Sequence, residues 1–276
     1  MSNIKILDGD GATKYFQVVE DGSTGNPFQS VVPDFKIAAA MNEILGNDAV
    51  SVSVWEKSKT LSKFGSNIDL DTGTAETIWA TGGTETLPTS NAIDIIVSTS
   101  AGDTQDIVIE GHTLSGTDLT FVVQTATLTG TTNVTLATPL ARVSRAYNNG
   151  ATDLAGDVTI EDNGTSVNLT MLGTVGANQS EKCATSTSQF DYWIITEING
   201  GVIGTISANV EFKIQSKAMG KVWRTIYEFN SSTYTDIQLN PCIIIPPNHD
   251  VRMVGTSDTN NTEAVADIRG YLAIIT

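Results

Sequence analysis

The chain has 276 residues, with 15 lysines and arginines against 31 aspartates and glutamates, a formal net charge of −16. That length can bury a sizeable core in one to three domains, while the acidic balance disfavours nucleic acid, whose binding draws on cationic side chains that release counterions. No apolar run is long enough for a membrane-spanning helix. The two cysteines, Cys183 and Cys242, are too few and too far apart for a disulfide framework, so they read as ordinary buried thiols.

In chain order, Met1 to Asp10 lacks the basic start and apolar run of a signal peptide, which gives the expectation of synthesis in a cytoplasm. Two short strands are predicted over Ile4 to Leu7 and Tyr15 to Val19, joined by Asp8-Gly9-Asp10-Gly11. That loop is a hairpin turn, because an EF-hand reading places Thr13 where glycine is required and Val19 at the bidentate carboxylate. Pro33 and Asp34 introduce a predicted short helix over Phe35 to Leu45, with Ile37, Met41, Ile44 and Leu45 at helical spacing and Gly46-Asn47 closing it. Such a helix either covers an open end of a sandwich or docks in a groove on a neighbouring subunit. Ala49 to Trp55 alternates as a strand, Lys57, Lys59 and Lys63 form the densest basic patch, and Ser66 to Ser90 reads as a long ordered loop carrying Trp79. The lysine patch is either a contact for an acidic protein partner or a solvated linker.

From Asp94 to Met171 the signal is short half-buried strands with period-two alternation: Ile107 and Ile109, then Leu119, Phe121 and Val123, then Val134 and Leu136, Val158 and Ile160, and Val167, Leu169 and Met171. Gly111-His112, Gly116, Gly130, Asn149-Gly150 and Asn163-Gly164 are the expected turns. The interval between Lys63 and Arg142 holds no lysine or arginine. Beyond Val175, Ile206, Ala208, Val210, Phe212 and Ile214 alternate with polar residues, and Pro246-Pro247 ends the run from Cys242 to Ile245. The expected fold is therefore all-β: an antiparallel β-sandwich with jelly-roll character, an N-terminal arm and one short helix. The expected divisions are residues 1–60 for the arm with hairpin, helix and strand, 61–175 for a first sandwich with its acidic loop, and 176–276 for a C-terminal jelly roll.

Signs of catalysis are sparse. His112 and His249 are the two histidines, and neither has cysteine, aspartate and histidine at metal-ligand spacing. The chain contains no Gly-x-Ser-x-Gly elbow and no phosphate-binding glycine loop. Asp69 and Asp71 form a carboxylate pair of the kind a glycosidase uses, though such pairs on β loops more often solvate or cap a turn. The reading is a non-enzymatic protein with no cofactor and no metal.

One set of blocks resembles structural proteins of tailed-phage virions. Lys63 to Thr72 (KFGSNIDLDT) followed by Ile78-Trp79 is similar to a loop signature of that family. Asp106 to Gly111, Ala126 to Thr132 and Leu140 to Ala146 follow in the family's order and spacing, and Asn178-Gln179-Ser180, Ile245-Pro246-Pro247 with Asp250 to Met253, and Asn260-Asn261-Thr262 also match. His112-Thr113 departs from the family's usual Leu-Asp. The resemblance implies a β-sandwich on the virion exterior that decorates and stabilises the capsid as a cement protein. The major capsid protein and further copies of the chain itself, as a homotrimer, would be its partners. A neck, tail or fibre component contacting the host is the alternative. Phe28, Phe35, Lys57, Lys59, Lys63 and Trp79 are the candidate interface residues, since aromatics in irregular segments make good anchors. Aromatics of this size also commonly plug their own core.

Overall fold

The computed structural model describes Asn3–Leu7 and Thr13–Gln17 and residues 59–162, 164, 166–173, 177–203 and 208–274. Among the described residues every regular element is a β-strand, and every strand pairing is antiparallel. The expected helix over Phe35 to Leu45, the strand over Ala49 to Trp55, and Phe28, Phe35 and Lys57 lie outside the described residues. The N-terminal unit, described by itself, contains the expected hairpin: β1 (Asn3–Leu7) pairs with β2 (Thr13–Gln17) from Asn3 opposite Gln17 to Leu7 opposite Thr13.

The second unit contains two sandwiches, each with its own hydrophobic core. The strands of the first are β3 (Lys59–Leu70), β12 (Ala184–Ser186), β13 (Asp191–Ile203), β14 (Val210–Ala218), β15 (Arg224–Ser231), β16 (Tyr234–Ile245), β17 (His249–Ser257) and β18 (Thr262–Ile274). They form one sheet in the order β16-β13-β18-β3 and another in the order β12-β17-β14-β15, and a short β4 (Glu76–Thr77) also pairs with β17. Counting β3 as the first of eight strands, these orders are 6-3-8-1 and 2-7-4-5, the double-sheet jelly roll. Strict alternation drives the packing: along β14, Val210, Phe212 and Ile214 are buried while Glu211, Lys213 and Gln215 are not. Facing them across the core are Trp193, Ile195, Ala266 and Ile268 from the other sheet.

The remaining strands lie between β4 and β12 in sequence. These are β5 (Ile93–Ser98), β6 (Asp106–Ser115), β7 (Asp118–Thr127), β8 (Val134–Leu140), β9 (Arg142–Asn148), β10 (Val158–Asp162) and β11 (Ser166–Met171). They form sheets β11-β10-β5-β8 and β7-β6-β9 around Ile96, Ile107, Ile109, Leu140, Ile160 and Met171. The jelly roll thus does not begin at residue 176 as the alternation suggests. It takes its first strand from residues 59–70, and the other sandwich is inserted between its first and second strands.

Three further expectations change. Gly111-His112 is not a turn but part of continuous β6, because pairing with both β7 and β9 holds that stretch extended. The β6–β7 turn is Gly116-Thr117, between paired Ser115 and Asp118, with Gly116 at φ 64° as a two-residue hairpin of this type demands. The stretch Ser66 to Ser90 is not one loop: Ser66–Leu70 completes β3 against β18, and Glu76–Thr77 is β4. On β7, Leu119 is buried whereas Phe121 and Val123 face outward, as an edge strand allows.

Gly270 shows how closely the jelly-roll sheet is fitted. A Cβ there would lie 1.9 Å from the Ile194 carbonyl oxygen, beside the irregularity between Ile195 and Glu197 in the β13–β18 register. Gly270→Ala is expected to destabilise the protein by about 1–3 kcal/mol through overpacking against backbone. Gly102→Ala, whose new methyl would meet nothing closer than 3.7 Å, should stay within about 0.5 kcal/mol of the parent. Urea midpoints of the two variants check the pair of values.

Candidate functional site

Where β9 of the inserted sandwich meets β12 and β17 of the jelly roll, the chain buries a cluster of charges. Arg142, the first residue of β9, sets its Nε 2.8 Å from Asp250 Oδ1 and its Nη2 3.1 Å from Oδ2, a bidentate pair in which both side chains are almost fully enclosed. Asp250 is the second residue of β17, so the pair joins one sandwich to the other. Arg142 Nη1 donates to the carbonyls of Pro88 and Ala141, both at 2.6 Å. Ser186 Oγ donates to Asp250 at 2.7 Å, and Lys217 Nζ stands 3.6 Å from Oδ2. Burial alone would raise the Asp250 pKa, but the Arg142 and Ser186 hydrogen bonds and the nearby cations hold it below the usual carboxylate range.

A second pair lies beside the first. Lys182 Nζ is 2.5 Å from Glu85 Oε1 and donates to the carbonyls of Val143 and Asn168 at 2.9 and 3.1 Å. The same ammonium stands 5.4 Å over the Trp79 ring. Lys63 Nζ donates to the next β9 carbonyl, Ser144, at 2.5 Å. Arg252 reaches Gln215 Oε1 at 3.0 Å and the Glu85 carbonyl at 3.3 Å, with its guanidinium 4.1 Å over Trp223. The space left among Glu85, Arg142, Lys182 and Asp250 is about 10 Å³, room for no more than one water.

These positions revise the expected contact surface. Lys59 is exposed, but Lys63 and Trp79 are internal: Trp79 is 3% exposed, and its indole N–H is shared between the Gly82 and Gly83 carbonyls at 2.9 and 3.0 Å. The basic patch therefore divides, because β3 alternates and turns Lys63 inward. Arg142 and Asp250 fall within two of the family-like blocks, but nothing local marks them as partners, and Lys182 and Glu85 lie outside every block. Arg142 and Asp250 are 108 residues apart, and the one available hint was that a cation follows a long cation-free interval.

The chemistry of the cluster is that of a fastener. The Cys183 thiol, enclosed and touching the Lys63 carbonyl, has its pKa pushed up by burial, and burial also raises that of Cys242, so neither is poised as a thiolate. Both cysteines are free. His249 Nδ1 contacts the Pro247 carbonyl at 2.8 Å. Asp71 Oδ1 accepts from the Asn261 N–H at 3.4 Å, a turn contact. Among the described residues no group of three or more histidine, cysteine, aspartate or glutamate side chains could hold a metal ion. Comparison of the chain with protein-family models, curated proteins and solved structures gives no match.

Two outcomes follow from the cluster. Asp250→Ala leaves Arg142 buried without its counter-ion and should cost about 3–5 kcal/mol, whereas the double replacement Arg142→Met with Asp250→Leu should recover much of that loss; urea denaturation of the three variants measures both. Burial, reinforced by the neighbouring Lys182 charge, lowers the Lys63 pKa from 10.5 to about 7. Above that folded value the unfolded chain binds the extra proton, so stability should climb as pH rises from about 7 towards 10.5. Lys63→Met should flatten that climb in unfolding curves recorded across the same window.

Proposed function

We propose that this protein is a structural component of a tailed-phage virion, seated on the capsid exterior as a decoration or cement protein. The observation that carries the reading is the pair of sandwiches joined by saturated, buried ion pairs. Three cations of the kind an enzyme or nucleic-acid binder would present to a ligand, Arg142, Lys182 and Arg252, are here engaged by internal carboxylates and carbonyls. Such a joint suits a part that must keep its shape under load, and it agrees with the family resemblance of the blocks around β3, β6 and β9.

Outer strand faces supply contact chemistry. Phe64 and Ile68 on β3 are 40% and 66% exposed, and they replace Trp79 and Lys63 as contact residues for the major capsid protein or for further copies in a homotrimer. A ligand that binds only the assembled lattice stabilises that lattice, so a cement protein acts by linkage rather than by catalysis. Electron microscopy of native particles should show many copies spread over the shell, and particles lacking the protein should lose resistance to heat. A few copies confined to the tail would overturn the capsid seat in favour of a neck, tail or fibre role.

A further inference from the structure

Beside the ion-pair cluster, a cleft of about 250 Å³ opens between the two sandwiches. Lys59 and Lys63 of β3, Glu110 and His112 of β6, Phe121 of β7 and Asp191 of β13 line it. It is smaller than the roughly 300–1,000 Å³ of pockets for drug-sized ligands, which sets its occupant at about one small polar ring.

The lining is chemically mixed in a specific way. Two amines and two carboxylates share the lining, and with the Lys63 pKa lowered to about 7 the balance is slightly negative at neutral pH, which gives an anion no attraction. Glu110 is also 4.0 Å from Arg145, and Asp191 accepts from Ser188 Oγ, so each carboxylate has one partner and capacity for more. His112 is 3% exposed, and its Nδ1 is buried without a hydrogen-bond partner. Burial keeps that imidazole neutral, its pKa lowered to about 4, so the ring offers one donor and one acceptor. Phe121, 43% exposed, packs edge-on to His112 with ring centroids 5.4 Å apart and gives the cleft an aromatic wall.

We propose that this cleft is a binding site for a single neutral sugar residue. Sugar hydroxyls both donate and accept, so one ligand can meet the acceptor-only carboxylates, the Lys59 ammonium, the Lys63 amine and the neutral imidazole together. The C–H face of a pyranose suits the electron-rich face of Phe121. Both sandwiches contribute, which places the site at the joint rather than in either core. The assignment does not rest on the virion reading, and either can fail alone.

The test uses the full chain and NMR of the histidine ring signals. With two histidines in the chain, His112 reports on the cleft and His249 serves as the internal control. Free glucose, galactose, mannose and N-acetylglucosamine are titrated separately, with glycine and sodium acetate as charged comparators. At least one sugar should shift the His112 signals saturably with millimolar affinity and leave His249 unmoved. Phe121→Ala, at a half-exposed position, should keep the fold and weaken that binding roughly tenfold, and Glu110→Gln should weaken it too. The proposal is overturned if no sugar gives a saturable shift, if glycine or acetate does so instead, or if Phe121→Ala binds as tightly as the parent.

Discussion

The Arg142–Asp250 pair is the contact on which the arrangement of the two sandwiches turns. A guanidinium and a carboxylate taken this far from water cost several kcal/mol each in lost hydration, and their attraction offsets that only when the remaining donors and acceptors are also satisfied. Here they are, through Pro88, Ala141, Ser186 and Lys217. A joint with this requirement has one good geometry, since sliding one sandwich against the other would strand charges in a dry setting. Apolar packing alone tolerates such slippage more readily. Lys182 with Glu85 repeats the device alongside in space and adds the carbonyl of Asn168 on β11 to the tie.

Much of the fold was legible because alternation is a local property. Val210, Phe212 and Ile214 declare a half-buried strand wherever β14 sits, and Gly116 declares a tight turn. Which strand lies beside which was less legible, because beyond the hairpins pairing is settled by contacts from tens to about two hundred residues apart. Lys59 to Leu70 reads equally well as a linker and a loop, and only its ladder with Thr262 to Leu272 makes it the first strand of the jelly roll. The site was still less legible. Lys63 looks solvated in a row of lysines, and its inward turn follows from the pleat of a strand that composition does not announce. Arg142 and Asp250 have no signature that links them, and His112 was masked by a glycine that here marks close backbone approach: a Cβ at Gly111 would lie 2.3 Å from the Arg142 carbonyl oxygen.

Charge placement also separates the two sandwiches. From Ile93 to Met171 the cations are Arg142 and Arg145, and the first of these is engaged across the joint. The charged groups of the inserted sandwich are therefore almost all acidic, with Arg145 set between Glu110 and the Tyr147 ring, 4.9 Å from its centroid. Neighbouring copies would repel through those groups, with a range set by the ionic strength, while apolar strand faces such as that of Phe64 and Ile68 are left for contact.

The insertion between the first and second strands of the jelly roll has a consequence for synthesis. Residues 93–171 are contiguous and close their core without help from the rest, so this part can form while the chain is still being made. The strand β3 leaves the ribosome before all of it, yet its ladder partner β18 emerges only after every strand that lies between them in the chain. Until then Phe64 and Ile68 stand on an unpaired edge, the kind of edge that recruits strands from other chains. The loop that β3 and β18 finally close spans nearly the whole unit, and contacts of such separation form slowly. The inserted sandwich shortens that search by folding early, since a compact body brings its two ends nearer than a disordered tether of equal length would.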